Sequence, residues 1–335
     1  MKEALYYRKI DSQTVECNLC AHNCKIAEGN HGICESRKNN EGKLYSENYG
    51  RICSIAIDPI EKKPLYHFHS GKSILSFGSV GCNMKCEFCQ NWEISQSNVE
   101  KFSYLRDYQP KQIIDKALKS KNNIGIAYTY NEPTIWYEFL LYTAKIAKKE
   151  GLKNIMVTNG FINERPLKEI CNYVDAFNVD LKSFENSFYQ KISKASLQPV
   201  LNTLKTIKSH SKHLEITNLI VTSINDDAKT FEEMVKWIAY ELGTKTVLHI
   251  SRYFPRFQMT IEQTPVKKIL ELFNIAKKHL KYVYLGNVLL SEGNDTICDK
   301  CGKMVIIRRD YLIRTIGITG NGSCYYCGNN IISTE

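Results

Sequence analysis

No stretch of about 18 apolar residues occurs in this 335-residue chain, which leaves no candidate for a membrane-spanning helix. The opening residues, MKEALYYRKI, lack the uninterrupted apolar segment of a secretory leader, so the expected compartment is the cytoplasm. Internal repeats and low-complexity segments are missing as well. Basic residues outnumber acidic ones, 45 to 35, yet the lysines are spread along helical segments rather than gathered into a run. A solvated surface is therefore expected, and nucleic acid falls outside the expected partners. What remains is a chain with 43% hydrophobic and 24% charged residues. It is long enough for about two domains, or for one barrel with appendages, and can bury a large core.

Cysteine is plentiful. Ten of the thirteen fall in close groups, at 17/20/24, 82/86/89, 298/301 and 324/327. Without a secretory leader this pattern points to metals or clusters rather than disulfides. Metal-bound cysteines are thiolates, so filled sites would also offset part of the formal charge of +10.

The chain divides into three by texture. Residues 1–69 read as a cysteine-rich module with many polar and turn-prone segments. Over 70–290, apolar runs alternate with amphipathic helices: 74–80, 124–130, 154–159, 176–182, 214–221, 246–251 and 282–288. Several are almost continuously apolar, as strands buried on both faces should be. Ile135, Phe139, Tyr142 and Ile146 recur at helical spacing before Gly151. Thr230 and Glu233 read as a capping box, and Pro110, Pro199 and Pro265 as first helical residues. This alternation predicts an α/β fold, a partial (β/α) TIM-type barrel. A flat doubly wound sheet is the competitor, but its Gly-rich phosphate loop is missing after the first run. Residues 291–335 form a tail with two C-x-x-C-G units.

In a parallel barrel, reactive groups come from the carboxyl ends of the strands. The first run leads into Cys82, Cys86 and Cys89, the second ends in TYNEP (129–133) and the third in TNG (158–160). The fourth carries Asn178, Asp180 and Lys182 at alternate positions, on one face. The sixth carries His249. Three cysteines on a tight loop are an odd set for zinc. A 4Fe–4S cube needs four ligands, so three thiolates would leave one iron open. Buried cysteines, or half of a zinc site, are the bland alternative.

C-x-x-x-C-x-x-C with an aromatic residue before the last cysteine, here CNMKCEFC at 82–89, resembles the radical S-adenosylmethionine (SAM) signature. The continuation Gln90-Asn91-Trp92 resembles the branch that includes the pyruvate formate-lyase activating enzymes. TYNEP stands where that family has a GGEP-type segment, and VTNG (157–160) and NVDLK (178–182) resemble its next two strand motifs. From CNLCAHNCKIAEGNHGIC to the terminal cysteine pairs, the whole string is similar to the radical SAM enzymes of the AmmeMemoRadiSam system. The resemblance implies that Cys82, Cys86 and Cys89 ligate a 4Fe–4S cluster whose open iron binds SAM. It implies that Phe88 lies against the adenine, that Glu132 accepts from the SAM amino group, and that Asp180 and Lys182 grip the ribose and carboxylate. It carries Asn91, Asn159 and His249 over as further cofactor-binding positions. For Glu132 a helix-terminal carboxylate, for Asp180–Lys182 an ordinary ion pair, and for His249 a satisfied core histidine are the structural readings. Tyr130 and Asn131 replace the glycines of GGEP, which allow close backbone approach.

The implied reaction is reductive cleavage of SAM to methionine and a 5′-deoxyadenosyl radical, which abstracts hydrogen from a substrate. The implied partners are an electron donor such as flavodoxin or ferredoxin, a protein substrate, and Memo-like and AMMECR-like proteins. Three functions stay open: installing a glycyl radical in a partner, modifying another molecule, or carrying electrons as an iron–sulfur protein without SAM cleavage.

Two outer cysteine sets complete the reading. Cys298, Cys301, Cys324 and Cys327, each pair followed by glycine and separated by a predicted hairpin at MVIIRRDYLIR, read as a zinc knuckle. Rubredoxin-like iron or a relay cluster are alternatives. Cys17, Cys20, Cys24 and Cys34, with His22 as a substitute ligand, read as a second metal or cluster site of unspecified metal. Cys53 and Cys171 stand apart, and Cys171 shares an apolar helical face with Leu167, Ile170 and Val174.

Overall fold

The computed structural model describes residues 1–288, 290 and 293–334. Its centre is an eight-stranded sheet: β1 (Ser54–Pro59), β2 (Ser73–Gly78), β3 (Asn123–Tyr128), β4 (Lys153–Thr158), β5 (Ala176–Asp180), β6 (His213–Ile220), β7 (Val247–Arg252) and β8 (Val283–Gly286). Spatial order follows chain order, and β2 to β8 run parallel. β1 is antiparallel to β2 and closes one edge. Among the described residues β1 and β8 do not pair, so the barrel is open. Its crossover helices are α1 (Pro110–Lys119), α2 (Tyr137–Lys149), α3 (Glu164–Cys171), α4 (Leu197–Ser209), α5 (Ala228–Glu241) and α6 (Val266–Lys277).

All seven predicted apolar runs are strands, because helices cover one face and barrel interior the other. β3 and β4 meet closely enough that a Cβ on Gly125 would lie 1.9 Å from the Lys153 carbonyl oxygen, so a side chain there would push the strands apart. Phe77, Tyr128 and Trp136, all fully buried, knit β2 and β3 to the start of α2, with the Phe77 ring 5.4 Å from each partner.

Several sequence expectations move. β1 belongs to the sheet, although residues 54–59 read as part of the N-terminal module. α5 is capped by Asp227, which accepts from the Thr230 amide at 2.8 Å, so Thr230 lies inside the helix rather than starting a capping box. Pro110 is the first residue of α1, but Pro199 is the third of α4 and Pro265 precedes α6. Cys171 is a buried end of α3, beside Leu167 and Ile170.

The flanking modules sit on different parts of the barrel. At the N-terminus, two three-stranded antiparallel sheets pack toward α2 and α3. Arg37 and Glu138, both fully buried, form an ion pair at 2.5 Å, and Glu138 also accepts from the Leu5 amide. At the C-terminus, Met304–Arg309 and Leu312–Thr315 form the expected hairpin, with Thr296–Ile297 alongside. This tail plugs the floor of the barrel: buried Arg308 donates to the Tyr66 carbonyl, and His67 bonds Tyr284 and the Ile331 carbonyl. No helix among the described residues is long and apolar enough to cross a membrane.

Candidate active site at the carboxyl ends of the strands

β2 runs directly into the cysteine loop, and the neighbouring strand ends hold that loop in place. Asn131 accepts from the Ser79 amide and the Trp136 indole, and donates to the Gly81 carbonyl at 2.9 Å. Asn83 donates to the Phe161 carbonyl and accepts from Asn159 at 2.9 Å. On the far side, the amides of Lys85 and Glu87 donate to the Ser193 and Ile192 carbonyls, in the π-helical turn Tyr189–Ser193. The loop is therefore fixed from β3, from β4 and from the segment after β5.

Cys82, Cys86 and Cys89 line one cavity of about 530 Å³ together with Phe88, Glu132 and Lys182. Among the described residues no fourth cysteine lines it. Burial raises all three thiol pKa values, that of Cys82 most, with Glu132 adding repulsion there; Lys182 works in the opposite direction at Cys86 and Cys89. Polar groups approach the sulfurs: the Met84 amide stands 3.4 Å and Asn159 Nδ2 3.7 Å from Cys82 Sγ, and the Cys86 thiol donates to Ser193 Oγ at 3.3 Å. Three thiols on one cavity, with N–H groups turned to Cys82, would suit three irons of a cluster and would leave a fourth iron without a protein ligand.

The other cofactor-binding candidates fall into three groups. Phe88, Asp180 and Lys182 line the cavity. Lys182 Nζ is 2.8 Å from Asp180 and 5.8 Å from the Phe88 ring. Burial opposes its charge, yet Asp180 and Cys86 leave its pKa raised. The ion pair therefore exists, and it sits in the cavity wall.

Glu132, Asn91 and Asn159 also line the cavity but are committed to the scaffold. Glu132 caps the 3₁₀ turn Pro133–Trp136 by accepting from the Thr134 amide, and it also accepts from Thr158 Oγ1 and the Asn159 amide. Burial outweighs these bonds and raises its pKa. Oε1 takes two donors and Oε2 one, which leaves Oε2 acceptor capacity. Asn91 donates to the Tyr130 carbonyl at 2.6 Å. Tyr130 itself takes a left-handed φ of 72°, the backbone that a glycine would adopt freely.

His249 is the exception. It lies one layer below the cavity, buried, with its ring N–H donating to Glu215 at 2.6 Å and its ring against Tyr66. Ser251, two residues on along β7, occupies the cavity wall instead. Burial works against the Glu215 charge, but hydrogen bonds from His213 and His249 hold its pKa well below the ordinary carboxylate value. His249 is thus part of a buried network and not of the cavity lining, and Asn178, bonded to the Pro64 carbonyl and Thr217, belongs to the same interior.

Sequence reasoning missed one corner. Asp58, at the end of β1, receives Lys63 Nζ and the Tyr130 hydroxyl at 2.7 Å each, and Lys62 at 3.2 Å. These residues line the same cavity. Nothing in DPIEKK marks them, since only the antiparallel placement of β1 brings them to the mouth.

The outer sets differ from one another. Cys298, Cys301, Cys324 and Cys327 form a four-thiol site with all sulfurs within 4.8 Å of one another. Cys17, Cys20, Cys24 and Cys34 line a second, enclosed void, and His22 is bonded to the Asn83 carbonyl at 2.7 Å.

Comparison with known proteins agrees with this geometry. An uncharacterized protein of Methanocaldococcus jannaschii is 42% identical over 334 residues, 99% of each chain. The pyruvate formate-lyase 1-activating enzyme of Escherichia coli is 22% identical over 149 residues, covering 44% of this chain and 61% of that enzyme. Among solved structures, a radical SAM methyltransferase from Sphaerobacter thermophilus superposes with a TM-score of 0.52 at 12% identity, over 71% of both chains. The family model described as the Radical SAM superfamily matches residues 77–238. Its match opens on the strand that feeds the cysteine loop and closes inside α5, so residues 77–238 form a radical SAM superfamily domain, a kind of domain that implies a 4Fe–4S cluster and SAM.

Proposed function

We propose that this chain is a radical SAM enzyme of the activating-enzyme type, with Cys82, Cys86 and Cys89 as cluster ligands and a protein as its substrate. The observation that carries the reading is the convergence of these thiols with Glu132, Asp180 and Lys182 on one cavity at the carboxyl ends of the strands. A cluster held by Cys82, Cys86 and Cys89 would supply the one-electron chemistry that cleaves SAM reductively and allows hydrogen abstraction from a substrate. The residues of the chain bind and orient. Lys182 offers its ammonium to the SAM carboxylate, Asp180 a carboxylate to the ribose, and Glu132 Oε2 an acceptor to the SAM amino group. Phe88 gives the adenine an apolar wall, and the buried lining excludes water.

The likeness to activating enzymes favours a glycine in a partner protein as the hydrogen donor. Flavodoxin or ferredoxin fits the electron donor, and Memo-like and AMMECR-like proteins are the first partners to try. The C-terminal four-thiol site fits structural zinc, because its close sulfurs match a tetrahedral ion. In this reading the N-terminal module gives way to the barrel at β1 rather than at residue 70, the C-terminal tail acts as the knuckle, and the thiols suit the reducing cytoplasm.

The test is anaerobic reconstitution, reduction with dithionite and addition of SAM. The expected product is 5′-deoxyadenosine, and mixing with the cognate partner should give a protein-based EPR doublet. Absence of 5′-deoxyadenosine from a protein with an intact cluster would overturn the enzyme reading in favour of an electron carrier. 5′-Deoxyadenosine without a doublet in any candidate partner would overturn the glycyl target alone.

A further inference from the structure

We propose that Cys17, Cys20, Cys24 and Cys34 hold a second iron–sulfur cluster, ligated entirely by thiolate and seated directly behind the cysteine loop of the barrel. Three observations in the N-terminal module lead there. The first is spacing. A tetrahedral zinc with bonds of about 2.3 Å sets its sulfurs about 3.8 Å apart. The C-terminal knuckle meets this, with Cys298–Cys327 at 3.6 Å and Cys301–Cys324 at 3.7 Å. Among the described residues, Cys17, Cys20, Cys24 and Cys34 do not form such a close-set group, and neither do Cys82, Cys86 and Cys89. The N-terminal set therefore shares the open spacing of the cluster loop and not the closed spacing of the knuckle. On a cubane each sulfur binds its own iron, so the ligands stand on a larger tetrahedron than around a single ion.

The second observation is the void the four cysteines enclose. It measures about 10 Å³, room for about one water, and its remaining wall includes Leu19, Ile26 and Ile135. Four sulfurs at zinc-bond distance leave no such space between them.

The third is Arg37, which lines this void and is fully buried. Its Nη atoms serve the Leu5 carbonyl and Glu138, while its Nε is buried without a partner. An orphaned buried donor is costly, and a thiolate or bridging sulfide would satisfy it.

The placement links the two sites. Asn83 lines the N-terminal void while its neighbour Cys82 lines the barrel cavity. The backbones touch there: a Cβ on Gly81, whose φ is 91°, would lie 2.7 Å from the Cys34 carbonyl oxygen. Four thiolates leave no iron open, so this cluster has no place for a substrate, in contrast to the three-cysteine site.

The proposal does not depend on SAM cleavage and is tested without it. The full-length chain carrying Cys82→Ala, Cys86→Ala and Cys89→Ala is reconstituted anaerobically with iron and sulfide, then assayed for iron, zinc and acid-labile sulfide and by Mössbauer spectroscopy. The expected result is about four irons and four sulfides per chain with a cubane spectrum. Adding Cys20→Ala and Cys34→Ala should remove the sulfide while the C-terminal metal stays bound. A triple variant that binds no labile sulfide, or fills the N-terminal site with zinc, overturns the proposal, as does sulfide retained in the quintuple variant. If the quintuple variant does not fold, the triple variant decides alone.

Discussion

Glu132 serves two tasks with one carboxylate. It caps a helical turn, the structural reading of its position, and it also turns an under-used oxygen to the cavity. Glu132→Gln removes the charge and keeps an acceptor for the cap. Loss of a hydrogen bond to a charged group costs about 1.5–3 kcal/mol, so SAM affinity of the reconstituted protein should fall roughly 10- to 100-fold by anaerobic equilibrium binding. Unchanged affinity would remove Glu132 from the cofactor site. The three loop cysteines were legible at this scale because their spacing is itself the signal. His249 was not. Strand alternation tells which face a residue takes, but not its depth along the barrel, and two residues separate the buried Glu215 network from the cavity wall at Ser251.

The cysteine loop depends on the strand ends beside it. Asn131 alone satisfies Ser79, Gly81 and Trp136, all in a buried setting. Asn131→Ala leaves these groups unpaired and should lower stability by about 2–3 kcal/mol in urea unfolding, with a weaker hold on reconstituted iron. A loss below about 0.5 kcal/mol, the range of an ordinary surface change, would show that the loop is held elsewhere. The parallel strands were readable as apolar runs since both faces are covered. β1 was not, because an edge strand reading SIAIDP exposes Ala56 and Ile57 and breaks the pattern. That omission also hid Asp58, Lys62 and Lys63. Helix starts were partly misread for a related reason: Asp227 and Thr230 are both acceptable caps, and only the backbone path chooses between them.

At the level of the whole molecule, the tail closes the barrel floor through His67. The neutral ring donates from Nδ1 to the Ile331 carbonyl and accepts at Nε2 from the Tyr284 hydroxyl, at 2.8 and 2.6 Å. Burial pushes its pKa down to about 3. Below the unfolded value of about 6.5, the unfolded chain binds a proton that the folded one refuses. This contribution is thus complete above about pH 6.5 and is lost as pH falls toward 3. His67→Gln should lower the melting temperature at pH 7 but flatten its decline between pH 6.5 and 4; an unchanged slope would contradict the assignment.

The three cysteine sets were visible as spacing, while their difference in size was not, since it depends on how the flanking sheets present each sulfur. The account as a whole rests on the division of labour among them. Its most direct test is Cys86→Ala in the reconstituted full-length chain, assayed for 5′-deoxyadenosine and for metal at the C-terminal site. The predicted result is loss of 5′-deoxyadenosine with the C-terminal metal still bound, and continued SAM cleavage by that variant would contradict it.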